Sequence, residues 1–182
     1  MLADAINQFL QSLIGEKYLV AHGPLVMMDA RVSAIEQQLR QLVENRLSEA
    51  WGQSAWKRLV PENIRIEVQK RIAQQEANKP YEIGQYQTLD AKMMFCQFSD
   101  YFKIIQVKTN WPLFEDVFGS ESAFAKYGGM AIEARNAMKH GRDLSHIDLA
   151  AAEASLSWLE ECLSNVKDEE ANEEEELVAE PV

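Results

Sequence analysis

Arg135, Asn136 and His140, with Lys139 just before the histidine and Gly141 directly after it, are the residues of this chain whose types and spacing suit chemistry. That chemistry is metal-free cleavage of an RNA phosphodiester. A neutral imidazole takes the proton of a 2′-hydroxyl as it attacks its own phosphate, and a guanidinium spreads two hydrogen bonds over the phosphate oxygens as charge builds. Asn136 can orient the imidazole or bind the phosphate. Lys126, Lys139 and Arg142 add electrostatic attraction for the backbone.

The same residues also suit a plain helix ending. Lys139 and His140 fall in a last helical turn, where the dipole favours cations, and Gly141 is the expected residue just past a helix end. Arg135 then pairs with an acid on a neighbouring helix. Residues five apart on a straight helix are rotated by about 140° and separated by roughly 7.5 Å along the axis. One helix therefore does not present Arg135 and His140 on a single face. They converge only through the length of Arg135 and the frayed end at His140, or through a second copy of the chain, which makes a homodimer part of the catalytic reading.

The elements around these residues are helical nearly throughout. Ala5 to Ile14 reads as a short first helix and Gly15 to Pro24 as a connector. From about Val26 to Trp51, apolar residues at Val32, Ile35, Leu39, Leu42, Val43 and Leu47, with Arg46 among them, recur at three- and four-residue steps. Gly52 stops that helix, Trp56, Leu59 and Val60 form an apolar corner, and Pro61-Glu62-Asn63 starts another helix that ends before Pro80. Ile64, Val68, Arg71 and Ile72 set its face.

Thr88 to Val107 is the most apolar segment. Met94, Phe98, Tyr101 and Ile105 make one stripe and Met93, Phe95 and Phe102 widen it, which predicts a helix in the middle of a bundle. A short helix opens at Trp111-Pro112 and closes at Gly119. Ser120 or Ser122 caps the next, which reaches His140, with a kink or break expected at Gly128-Gly129. Ser145-His146-Ile147-Asp148 has the form of a capping box, followed by Leu149, Ala152, Leu156, Leu159, Leu163 and Val166 at helical spacing. Trp158 lies off that stripe and marks an interface residue.

Composition bounds the remaining classes. With 182 residues and 47% hydrophobic content the chain is one soluble domain's worth. It shows no membrane-length apolar run and no signal-peptide order, so the expected location is the cytoplasm. Cys96 and Cys162 lack C-x-x-C spacing and the three histidines are scattered, so neither a metal site nor another cofactor is indicated. The net charge is −11, but eight acids from Asp168 to Glu180 leave only −3 for residues 1–167, room enough for a basic patch. Residues 168–182 read as a disordered acidic tail, suited to solvation or to competing with RNA for Lys126, Lys139, His140 and Arg142. Asp100 and Lys103 read as a salt bridge or solvated edge. Trp51, Trp56, Phe98, Tyr101 and Trp111 read as core, without the interleaved basic residues of a base-stacking surface.

Trp51, Trp56 and Leu59–Ile64, then Phe98-Ser99-Asp100-Tyr101-Phe102-Lys103-Ile104-Ile105, Asn110-Trp111, Phe114–Phe118, and Ile132-Glu133-Ala134-Arg135-Asn136 with His140 together resemble the HEPN superfamily. The likeness is to the branch seen in the Swt-type nuclear RNA-surveillance endonuclease and in bacterial defence-associated proteins. It covers roughly residues 31–163, between an N-terminal helix and connector at 1–30 and the tail. The resemblance implies an all-α HEPN-like bundle over residues 31–167 that homodimerises with the two motifs facing each other. It further implies Arg135, Asn136 and His140 as catalytic residues of a metal-independent endoribonuclease in defence, toxin–antitoxin or stress systems. HEPN domains also serve as noncatalytic dimerisation or docking modules, and an acidic chain can be one member of a pair with a basic protein partner.

Overall fold

A computed structural model of the chain describes the backbone of residues 16–179 and the side chains of residues 27–166. The helix expected at Ala5 to Ile14 lies outside the described residues. Among those described, every regular element is helical: α1 (Glu16–Trp51), α2 (Ala55–Leu59), α3 (Glu62–Asn78), α4 (Leu89–Met93), α5 (Phe98–Ile105), α6 (Glu115–Phe118), α7 (Glu121–Lys139) and α8 (His146–Ala179), with three short 3-10 turns between them. No described helix is long and apolar enough to cross a membrane.

The 36-residue α1 is the spine, roughly 54 Å long. Val32, Ile35, Leu39, Leu42, Val43 and Leu47 are all buried, as their spacing requires. Arg46, at the edge of that stripe, turns out to pair with Asp116 at 2.5 Å. The expected connector at Gly15 to Pro24 is corrected, because α1 already begins at Glu16. A proline inside a helix forfeits a backbone hydrogen bond and adds a clash, a cost that does not end the helix when the flanking turns are favourable.

The apolar segment from Thr88 to Val107 is two helices rather than one, and the expected stripe fails at Met94, which is 65% exposed. The break is held by charge. Asp100 accepts from the Gln97 backbone N–H at 2.9 Å and from Arg71 Nη1 at 3.2 Å, and Arg71 Nη1 also donates to the Phe95 carbonyl at 2.7 Å. Arg71, read as part of an apolar face, thus satisfies groups that an unbroken helix would have bonded internally. Asp100 is 5% exposed, so its pairing is structural.

Freed by that break, α5 buries Phe98, Asp100, Tyr101, Phe102, Ile104 and Ile105, six of its eight residues. Phe98 meets Phe102 edge-on at 5.0 Å between centroids, and Phe102 stacks on Phe124 of α7 at 5.3 Å. Each fully buried ring contributes about 1.5–3 kcal/mol by leaving water. Asn110, fully buried, ties the α5 exit to the α2 corner by donating to the carbonyls of Leu59 and Ile104, both at 2.8 Å.

No break occurs at Gly128-Gly129, where α7 is continuous from Glu121 to Lys139. A Cβ on Gly128 would stand 2.4 Å from Cδ1 of Phe102, so this glycine permits close approach of α5 and α7 instead of bending the helix. A Cβ on Gly129 meets nothing within 4 Å. Trp158 is likewise an internal contact, half-buried and stacked on Tyr127 of α7 at 4.9 Å.

The capping box opens α8, with Ser145 N–H donating to Asp148 Oδ2 at 3.1 Å and Asp148 N–H to Ser145 Oγ at 3.2 Å. Arg31 then fastens α1 to α8, reaching Glu160 at 2.8 Å, Glu153 at 2.5 Å and Ser157 at 3.0 Å. The acidic segment, expected without secondary structure from Asp168, carries helical backbone to Ala179. Glu and Ala are strong helix formers, which favours continuation despite like charge. Its side chains, and with them the competition with RNA, lie outside the described residues.

Two neighbouring substitutions should act in opposite directions. Gly128→Ala should destabilise by about 1–3 kcal/mol through overpacking against Phe102. Gly129→Ala should stabilise by about 0.5–1 kcal/mol through helix propensity. Urea denaturation of the two variants checks this, and equal effects would contradict the packing account.

Candidate functional site

The end of α7 is built as a Schellman motif. Arg142 N–H donates to the Ala137 carbonyl at 2.9 Å and Gly141 N–H to the Met138 carbonyl at 3.2 Å, closing the two carbonyls that the helix leaves open. Gly141 has φ of +60°, the left-handed region that the motif needs. His140 is the capping residue, its N–H bound to the Asn136 carbonyl at 3.1 Å. Its backbone is therefore fixed while its side chain is exposed, as are those of Asn136 and Lys139.

Arg135 points elsewhere. Its Nη2 lies 3.5 Å from Glu36 Oε2 on α1 and its guanidinium carbon 5.8 Å from the Phe98 ring centroid, with 15% of the side chain exposed. The Glu36 contact is long and single rather than a bidentate fork, and the Phe98 face adds a cation–π attraction. Arg135 thus lies against the side of α7 that packs on α1 and α5.

A groove of about 660 Å³ opens on the α8 side of α7. Lys126, Asn136 and Arg142 line it, with Glu133, Asp143 and Asp148 among them. Of the residues singled out in the sequence, the fold thus brings Lys126, Asn136 and Arg142 together. Arg135, Lys139 and His140 do not line that groove. Cations and carboxylates alternate there, so its field is mixed and not simply basic.

Glu36 was beyond reach of the sequence reading. It sits 99 residues from Arg135, one step after Ile35 of the α1 stripe, where an exposed acid is ordinary. The only usable signal is general, since a buried-side arginine on one helix calls for an acid on the helix it faces. Arg31 and its two glutamates were missed for the same reason.

Neither thiol adds a nucleophile. Burial pushes Cys96 up to about 12 and Cys162 up to about 11, so both are thiols at neutral pH. Among the described residues no group of three His, Cys, Asp or Glu side chains is placed to hold a metal ion.

What the arrangement offers chemically is an exposed imidazole on a fixed backbone, an amide one turn before it, Lys139 and Arg142 close to it in the chain, and a guanidinium held on another face. Asp148 sets the α8 entry beside it. The Ser145 hydroxyl and N–H hold its carboxyl below the usual aspartate range. A depressed folded-state pKa gives stability that is present above the unfolded value and lost as pH falls through the folded one. The Tm advantage of wild type over Asp148→Ala should therefore hold steady above about pH 5 and shrink towards pH 2. A pH-independent difference would show that the cap acts without its charge.

Compared with family models, curated proteins and solved structures, the chain matches none.

Proposed function

We propose that this chain is a metal-independent endoribonuclease of the HEPN type, completed by a second copy of itself and acting in defence or stress. The observation that carries the reading is the end of α7, where the Schellman motif presents His140 outward beside Asn136, Lys139 and Arg142. Neutral His140 takes the proton of a 2′-hydroxyl. That oxygen bonds to phosphorus, the bond to the 5′-oxygen breaks, and the departing oxygen takes up a proton, leaving a 2′,3′-cyclic phosphate and a 5′-hydroxyl. Arg135 stabilises the charge on the phosphate oxygens. Since residues five apart on one helix do not face the same side, the two come from facing copies of α7.

One observation favours a second reading. Arg135 is already paired with Glu36 and Phe98 inside its own chain, as a residue with a purely structural duty would be. On that reading the domain is a noncatalytic dimerisation or docking module, and the chain's net charge of −11 suits a basic protein partner.

Purified protein incubated with structured and unstructured RNA in excess chelator separates the two. Cleavage with cyclic phosphate ends is expected for wild type, with His140→Ala and Arg135→Ala each lowering the rate by at least about 100-fold. Three equally inert proteins, with the variants folded but monomeric, would establish the interaction module in its place.

A further inference from the structure

The aromatic residues read as core in the sequence divide in the fold. Phe98, Tyr101 and Trp111 are buried, but Trp51, the last residue of α1, is 48% exposed. The sequence carries Lys57 and Arg58 directly after Trp56, six and seven residues beyond Trp51, and the fold turns Arg58 back onto the Trp51 ring. The guanidinium of Arg58 lies 4.2 Å from the Trp51 ring centroid, and the Lys92 ammonium of α4 stands 6.0 Å from the centroid of the neighbouring Trp56 ring. Lys57 is exposed beside Arg58.

Among the described residues Lys57, Arg58 and Lys92 take part in no ion pair, whereas Arg31, Arg46, Arg71 and Arg135 each do. Lys92 donates to the Gln87 carbonyl, which satisfies a donor but leaves the charge uncompensated. Glu49, two residues before Trp51, lies about 200° round the helix from it. The α1–α2 corner thus sets the unpaired cations Lys57 and Arg58 beside a half-exposed indole, with Lys92 of α4 against the adjacent Trp56, in a chain whose net charge is −11.

We propose that Trp51, Lys57, Arg58 and Lys92 form a docking platform for single-stranded nucleic acid, distinct from the end of α7. An unpaired base stacks on the open part of the Trp51 ring, with Arg58 holding the indole in place through its cation–π contact. The phosphates on either side of that base are met by Lys57, Arg58 and Lys92. Only an unpaired strand offers a free base face, so a duplex is excluded. Trp51 is 15 residues beyond Glu36 on α1, roughly 22 Å along the axis. A strand of several nucleotides spans from the platform towards Arg135.

The test measures binding of a fluorescent twelve-residue oligodeoxyadenylate by anisotropy at low salt. This probe has no 2′-hydroxyl, so its binding is independent of the proposed cleavage, and oligoriboadenylate is run beside it. Wild type should bind both single strands and bind the matching duplex at least tenfold more weakly. Trp51→Ala should weaken binding about tenfold and Trp51→Phe less, because the phenyl ring retains a stacking face. Arg58→Gln and Lys57→Gln should each lower the slope of log K against log salt by about 0.7. Equal affinity of Trp51→Ala and wild type, equal affinity for duplex, or no binding by wild type overturns the platform. Loss of cleavage in chelator with binding intact would instead remove only the nuclease reading.

Discussion

Phe102 presses its ring against the backbone of α7 at Gly128, with no room between them even for a methyl group. That approach sets the depth to which α5 sinks between α1 and α7. Because six of its eight residues are buried, every neighbouring helix must present α5 with an apolar face, or with a partner for its one buried carboxylate. The aromatic run from Phe98 through Phe102 to Phe124 and Phe118 follows from it, with centroid separations of 5.0, 5.3 and 4.4 Å. The placement of Arg135 follows too, since it lies on the same helix as Gly128, two turns on, and rests over Phe98.

Polar groups finish what the rings begin. Asp100 and Arg71 hold the turn that lets α5 start where it does, Asn110 secures its exit, and Arg31 clamps α1 to α8. These are contacts between segments tens of residues apart, each partly shielded from water, where an unmatched partner would cost more than a matched pair gains.

Much of this architecture was legible in the chain. The α1 stripe, the start of α3 at Pro61, the Ser145 box and the glycine after α7 follow from rules that act within one or two turns. The errors arose where a distant residue decides the outcome. Hydrophobic period alone could not divide Thr88 to Val107, because the division depends on Arg71 of another helix. Helix propensity argued for a kink at Gly128, because the ring that fills its missing side-chain space is 26 residues away in sequence. At the candidate site, the helix end and its exposed imidazole were readable, and the turning of Arg135 towards Glu36 was not. The Trp51 corner is a different case, since Lys57 and Arg58 stand within seven residues of it and only the direction in which Arg58 turns was hidden.

The elevated thiol pKa values carry a practical consequence. Burial raises both Cys96 and Cys162 well above the ordinary thiol range, so neither is appreciably ionised at neutral pH. An added cysteine on the open face of α7 or at the α1–α2 corner would be alkylated far ahead of both. The native chain is therefore a quiet background for site-directed spin or fluorophore labelling without first removing its own cysteines.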